Sequence, residues 1–259
     1  IMLLSIIIPA YKQEKTILKD ITNIYEVMSK TRWDFELIIV VDGFLDNSFK
    51  EAKKINKKNV YVYGYQNNKG KGYAVRYGMA RSKGDLVSFI DGGMDIDPNG
   101  ISMLLEHMQW YDADIIVGSK RHPVSKVSYP FIRKIYSFGY YVLCKLLFGL
   151  KVKDTQTGLK VFKRKVLKKV LPRLLVKQFA FDIEVLSVAN YLGFNKIYEA
   201  PVKVNLDPNN TNFSGLFIFD PFVRNMLIDT LAIYYRMHVL KYYDDQSKRK
   251  WNYDTELQM

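Results

Sequence analysis

The sequence predicts an α/β fold: a doubly wound, mainly parallel sheet followed by a helical carboxyl-terminal appendage. Three observations predict it. Short β-branched runs alternate with polar segments of helical period through the first half of the chain, the pattern of repeated βα units. Those runs are continuously apolar rather than alternating, as suits strands covered on both faces. The segments after them are rich in Asp, Asn, Gly and Lys, and a sheet of this kind binds ligands outside the carboxyl ends of its strands.

Taken in order, "LLSIIIPA" is the first strand. It runs straight into polar residues with neither a cationic leader nor a small-residue cleavage pattern, so it reads as a strand and not as a secretory signal. A helix is expected after Gln13. "FELIIVVD" gives a second strand ending at Asp42, with a helix after Asp46, and "VYVYGY" gives a third, with a helix after Gly70. The fourth, "DLVSFID", ends at Asp91. Asp97, directly before Pro98, suits the cap of the next helix. "ADIIVGS" is the fifth strand. From Arg121 the chain turns basic, aromatic and mostly helical, with "GLKVFK" and "NKIYEAPVKV" expected as a strand pair. The stretch "NLDPNNTNFSG" is a loop by composition. An amphipathic segment from Leu216 to about Tyr243 and a polar tail expected to be mobile complete the chain.

At 259 residues the chain suits one sizeable domain with a short appendage. The only cysteine, Cys144, excludes an internal disulfide and is expected in the core. The apolar segments of the second half fall short of the roughly 20 residues of a spanning helix and carry charges. Between Lys120 and Lys177 stand 16 Lys and Arg against one acid, Asp154, so this block holds +15 and the remainder of the chain −2. One basic block in a near-neutral chain points to an anionic partner rather than to a uniformly solvated surface.

Asp91 is the sharpest single residue. An aspartate leaving a buried strand is costly unless it is paired, hydrogen-bonded or bound to metal. With Asp97 assigned to the cap, Asp91 and Asp95 are left for chemistry. Asp42 suits a nucleobase or ribose, or else a turn with Gly43. Lys71, within "NKGKG", is placed to reach a diphosphate, although the spacing is not that of a P-loop.

The stretches "LSIIIPAYKQE", "IIVVDGFLDNS", "NKGKGYAVRYGMARSKGDLVSFIDGGMD", "VGSKRHP", "DTQTGLKVFKR" and "FAFDIEVL" together resemble a family 2 glycosyltransferase of the Rossmann-like GT-A fold. Within it they most resemble the polyprenyl-phosphate sugar transferases, the dolichyl-phosphate mannose or glucose synthase group. The resemblance implies that Pro9, Tyr11, Glu14, Asp42 and Gly92 frame a nucleotide, with Lys71 near it. It implies that Asp91 opens a metal-binding acidic motif for Mg2+ or Mn2+, with Asp95 as its partner and metal affinity weak until nucleotide is bound. Gly93 departs from the family pattern by standing where a second aspartate is expected. Gly93→Asp is accordingly expected to strengthen metal binding, provided the glycine does not need a positive φ. Lys120, Arg121 and Arg133 are implied as contacts to an acceptor phosphate. Asp91, Asp182, Arg121 and Arg133 make up the implied catalytic set. Asp182 and its neighbour Glu184 also read as buried salt-bridge carboxylates, and both readings stand at this stage.

The implied partners are a nucleoside-diphosphate sugar, GDP-mannose or a UDP-hexose, a polyprenyl phosphate, and a membrane surface. The implied place is the cytoplasmic face of a membrane, held peripherally. Residues 1–212 would form the transferase domain, 213–243 a membrane-associating segment and 244–259 the tail, with the chain from Leu216 removable without unfolding the rest. No nucleic-acid partner is expected, since no ribonucleoprotein, zinc or helix-turn-helix motif accompanies the charge. A sugar-1-phosphate nucleotidyltransferase would need a glycine-rich amino-terminal signature where the chain has "PAYKQE". A degenerate transferase that binds without turnover is the alternative that Gly93 motivates.

Overall fold

The computed structural model describes residues 2–93, 95–125, 131–204, 221–251 and 253–257. Its strands are β1 (Leu3–Ala10), β2 (Asp34–Asp42), β3 (Val60–Tyr65), β4 (Leu86–Ile90), β5 (Ile115–Ser119), β6 (Leu159–Lys163) and β7 (Ile197–Pro201). Its helices are α1 (Ile17–Ser29), α2 (Ser48–Ala52), α3 (Lys71–Arg81), α4 (Gly100–Trp110), α5 (Phe131–Phe148), α6 (Arg164–Val170), α7 (Phe181–Tyr191) and α8 (Pro221–His238).

The strands form one seven-stranded sheet in the order β3-β2-β1-β4-β6-β5-β7. Every pairing is parallel except those of β6, which runs antiparallel to both β4 and β5. β1 is an interior strand beside the central β4, with Ile7 opposite Ile38 on one side and Phe89 on the other. Helices cover both faces, as the continuously apolar strands require. One core layer packs Ile17, Ile21 and Ile24 of α1 and Leu104 and Met108 of α4 against the sheet. The other packs Tyr73 and Met79 of α3, Cys144 of α5, Leu186 of α7 and Ile233 and Met237 of α8. Cys144 is a buried free thiol, as expected.

The topology departs from expectation in the second half. "GLKVFK" and "NKIYEAPVKV" do not pair with each other, because β5 lies between β6 and β7. Inserting β6 between β4 and β5 also turns its amino-terminal end toward the carboxyl ends of the other strands, bringing Thr157 and Gly158 to the ligand-binding edge.

The tail is not loose. Its short 3-10 helix, Asp245–Lys250, is held through ion pairing of Asp245 with Arg173 and by stacking of that guanidinium 4.1 Å from the Trp251 ring. Farther on, Leu257 is buried, and Glu256 accepts from Lys69 Nζ at 2.7 Å and from the Tyr73 hydroxyl at 3.2 Å. Polar composition gave the expectation of mobility, but these long-range partners before and on α3 and after α6 override it. The expected loop "NLDPNNTNFSG" lies outside the described residues.

Candidate active site at the carboxyl edge of the sheet

A cleft of about 450 Å³ opens at the carboxyl ends of β1, β2 and β4, and Tyr11, Asp42, Lys71, Asp91 and Asp95 are among the residues that line it. Pro9 and Gly92 line it too. Seven of the residues named from the sequence therefore meet in one place.

Asp42 closes β2 and is buried. Its Oδ1 accepts from the Tyr65 hydroxyl at 2.9 Å and the Lys69 amide at 2.8 Å, and its Oδ2 from Asn68 Nδ2 at 2.8 Å and the Gly70 amide at 3.0 Å. One carboxylate thus ties β2, β3 and the "NNKG" turn together and fixes the start of α3. That places Lys71, the first residue of the helix, over the cleft.

Lys71 Nζ lies 2.8 and 2.9 Å from the two carboxylate oxygens of Asp91 and 3.4 Å from Asp182 Oδ2. Burial pulls the Lys71 ammonium down, but the Asp182 and Asp91 carboxylates outweigh it and hold the group above its ordinary value. Asp182, in the first turn of α7, is only 2% exposed. Burial on its own lifts its carboxyl, yet Lys160 and Lys71 prevail and keep it below the usual carboxylate range. Asp182 therefore sits ionised behind Lys71, one layer removed from the cleft.

Its neighbour Glu184 faces elsewhere. It accepts from the amides of Leu175 and Val176, from the Tyr243 hydroxyl at 2.8 Å and from Arg236 Nη1 at 3.2 Å. Burial holds this carboxyl above its ordinary value against those bonds. Glu184 is an anchor for the carboxyl-terminal segment.

Other named residues stand around the cleft. The Glu14 carboxylate does not enter it; Oε2 accepts from the Asn47 amide at 3.0 Å and steadies the loop after β2. Lys120 and Arg121 follow β5 at the same sheet edge. The Lys120 amide donates to Asp154 Oδ2 at 2.9 Å. The Arg121 guanidinium donates to Ser137 Oγ and sits 5.9 Å from the Tyr141 ring centre, both on α5. Arg133 is also on α5, and its side chain lies outside the described residues. Asp97 accepts from the Asn99 amide at 3.0 Å within the turn before α4; the N-cap itself is Asn99, without a side-chain cap bond, so Asp97 is not the cap expected from the sequence.

Two glycines shape the acidic turn. Gly93 has φ +100°, a conformation that L residues adopt only under strain. The proviso attached to Gly93→Asp is thus not met, and that substitution is not expected to strengthen metal binding. Gly158, which drew no attention in the sequence, packs directly on Asp91: a Cβ there would lie 1.9 Å from Asp91 Oδ2. Gln13, Asn68 and Gln178 also line the cleft and were not singled out. Gln13, in "PAYKQE", and Asn68, in "NKGKG", stood in segments already marked as strand ends.

Asp91 and Asp95 present hard oxygen donors to one cleft, which suits a divalent cation of the magnesium type. Among the described residues no cluster of three His, Cys, Asp or Glu side chains forms. Such a cation takes one or two protein carboxylates and fills its shell from phosphate and water, so the pair fits a site shared with a diphosphate.

Residues 5–171 match the profile of Glycosyl transferase family 2, which is well over half of the 259-residue chain. The chain belongs to glycosyl transferase family 2. Among family relatives, a dolichyl-phosphate beta-glucosyltransferase of Dictyostelium discoideum is 29% identical over 205 residues, covering 73% of this chain and 63% of that protein. One from Drosophila melanogaster is 31% identical, with the same coverage of each. Another, from Trichomonas vaginalis, is 29% identical over 251 residues, covering 91% and 74%. The chain therefore spans less than two thirds of the Dictyostelium and Drosophila relatives. Glucosyl-3-phosphoglycerate synthase from Mycobacterium tuberculosis, solved with Mn2+, uridine-diphosphate and phosphoglyceric acid, superposes with a TM-score of 0.65 at 19% identity over 90% of this chain and 78% of that one. Mannosyl-3-phosphoglycerate synthase from Rubrobacter xylanophilus gives 0.67 at 14% over 91% and 74%. The family 2 chain thus has the GT-A fold.

Proposed function

We propose that this chain transfers glucose from UDP-glucose to a polyprenyl, dolichyl-type phosphate at a membrane surface, with inversion at the sugar. The observation that carries the reading is the cleft that gathers Asp42, Lys71, Asp91 and Asp95 at the sheet edge where β5 also delivers Lys120 and Arg121. Relatives named as dolichyl-phosphate beta-glucosyltransferases favour glucose over the GDP-mannose donor that the sequence left open.

The chemistry asks little of a base. An acceptor phosphate monoester has a second pKa of about 6 and arrives largely ionised. Its oxygen attacks the anomeric carbon, and the electron pair of the breaking C–O bond leaves with UDP. The chain must then hold two anionic substrates in line and stabilise the departing diphosphate. Asp42 organises the loop beside the nucleotide, and Lys71 supplies positive charge to the diphosphate. Asp91 and Asp95 would hold Mg2+ or Mn2+, which neutralises the leaving group when bound. Asp182, buried and paired with two lysines, is a salt-bridge carboxylate and takes no proton. Arg121 meets the acceptor phosphate from the α5 side, where arginine suits a bidentate contact.

The membrane surface falls on α5 and α8. No helix among the described residues is long and apolar enough to cross a membrane. The two helices are joined by the Tyr140 hydroxyl and Thr230 Oγ1 at 2.9 Å, and each leaves an apolar row exposed: Phe138, Val142 and Leu146 on α5, and Ile228, Leu231 and Tyr235 on α8. Leu146 is 79% exposed and Leu231 55%. Exposed Lys145 and Arg224 accompany them. Apolar residues with flanking cations describe an interfacial helix face.

The test is radiolabelled transfer, crossing UDP-glucose, GDP-mannose and UDP-GlcNAc with short polyprenyl phosphates. Lipid-extractable product from UDP-glucose, lost in chelator, is expected; no product with any pair favours a binder without turnover. Arg121→Ala is expected to raise the acceptor KM while leaving UDP affinity within twofold of wild type. Equal loss of UDP affinity would move Arg121 to the donor side. In a sedimentation assay with anionic liposomes, Leu146→Glu/Leu231→Glu is expected to reduce binding at least tenfold, since each buried leucine contributes roughly 1.5–3 kcal/mol. Unchanged sedimentation would place the docking surface elsewhere.

A further inference from the structure

Lys160 is the most deeply placed charge beside the cleft. It is the second residue of β6, paired with Phe89 of β4 and Val117 of β5, and is 0% exposed. A lysine at this depth requires a matched charge and full hydrogen bonding. Its Nζ is 2.5 Å from Asp182 Oδ1 and 2.5 Å from the Thr157 carbonyl, and 5.2 Å from the Phe89 ring centre. The second oxygen of that carboxylate reaches Lys71, 3.4 Å away, and Lys71 in turn reaches Asp91. The four side chains thus form a row of alternating charge from the core to the cleft wall: Lys160, Asp182, Lys71, Asp91.

The distances within the row are unequal. Asp182 is close to Lys160 and at the long limit of a hydrogen bond to Lys71. Its charge is therefore met mainly from the core side. Without Lys160 the single ammonium of Lys71 would serve two carboxylates and have none of its charge left for a ligand. With Lys160 the row is neutral, and turning Asp91 toward another cation uncovers one positive charge at Lys71.

We propose that Lys160 is a positioning residue: by matching Asp182 from the core, it leaves Lys71 free to exchange Asp91 for the diphosphate of the sugar donor. The proposal rests on the nucleotide-sugar reading above, and its experiment separates the two.

UDP affinity is measured by calorimetry with Mg2+ for the wild type, Lys160→Met and Lys160→Met/Asp182→Asn, with thermal melting of each and donor KM and kcat for wild type and Lys160→Met. Wild-type protein is expected to bind UDP; if it binds neither UDP nor GDP, the nucleotide reading falls and this proposal with it. Lys160→Met is expected to weaken UDP at least tenfold and to raise donor KM more than it lowers kcat. The double variant removes the stranded carboxylate together with its partner and is expected to recover UDP affinity to within about threefold of wild type. Recovery of affinity, rather than of melting temperature alone, is what a merely structural lysine would not give. A Lys160→Met protein that binds UDP within twofold of wild type overturns the proposal. Should Lys160→Met fail to fold, the double variant carries the test, and a tenfold loss of UDP affinity in it is the overturning result.

Discussion

Gly158→Ala is expected to leave the protein folded and to lower its metal-dependent affinity for UDP by about 10- to 100-fold, the usual effect of disturbing the support of a metal ligand. The added Cβ would lie 1.9, 2.2 and 2.9 Å from Oδ2, Cγ and Cβ of Asp91. The two backbones cannot separate to admit it, because the Asp91 amide donates to the Gly158 carbonyl at 2.9 Å and the β4–β6 pairing begins at the next residues, Ile90 and Leu159. What yields is the Asp91 side chain, which rotates away from Lys71 and from the place where a cation would be held. A rotated surface carboxylate costs the fold little, so melting should shift by only a few degrees while the site is lost. Calorimetry of UDP with and without Mn2+, beside a melting curve, makes the distinction. Binding of UDP with Mn2+ within twofold of wild type would show that Asp91 is not held from this side. Gly93→Asp should not compensate, since φ +100° would set about 1–2 kcal/mol of strain against any added ligand.

Gly158 and Lys160 show where the sequence was legible and where it was not. The first half could be read almost to the residue: "LLSIIIPA" and "VYVYGY" coincide with β1 and β3. There, every pairing is parallel, and composition alone marks the strand ends. The strand-end rule then placed Asp42, Lys71 and Asp91 together. β6 broke this local logic. Its antiparallel insertion between β4 and β5 is decided by partners 43 to 77 residues earlier in the chain, and nothing within "DTQTGLKVF" states it. One signal was present: a lysine amid an apolar strand is a buried charge in need of a partner, and Asp182 was already in view. Still greater distance in sequence, up to 187 residues, hid the docking of the tail, whose anchors Lys69, Tyr73 and Arg173 are polar or aromatic residues with no visible claim on it.

That docking makes the carboxyl-terminal sixth of the chain part of the fold. Deleting the chain from Leu216 onward is expected to abolish cooperative folding, against the expectation that residues 2–205 would survive alone. The deletion removes Ile233, Met237, Tyr243 and Leu257, all buried in the core layer that also packs α3 and α7. Losing large apolar groups from a core costs about 2–5 kcal/mol each. It also takes Tyr243 and Arg236 from Glu184, which is fully buried, and stripping a buried charge of its partner costs about 3–5 kcal/mol. Arg173, equally buried, loses the Tyr243 carbonyl, Asp245 and the Trp251 ring at once. Together these exceed the roughly 5–15 kcal/mol by which a domain is stable. The truncated chain should therefore be recovered insoluble, or soluble without a melting transition by circular dichroism and calorimetry. A cooperative transition within a few degrees of the full chain would show that α8 and the tail sit on a core already complete without them. Loss of liposome binding in such a deletion would report unfolding rather than an anchor, which is why the membrane face is tested by Leu146→Glu and Leu231→Glu on exposed positions of the intact chain.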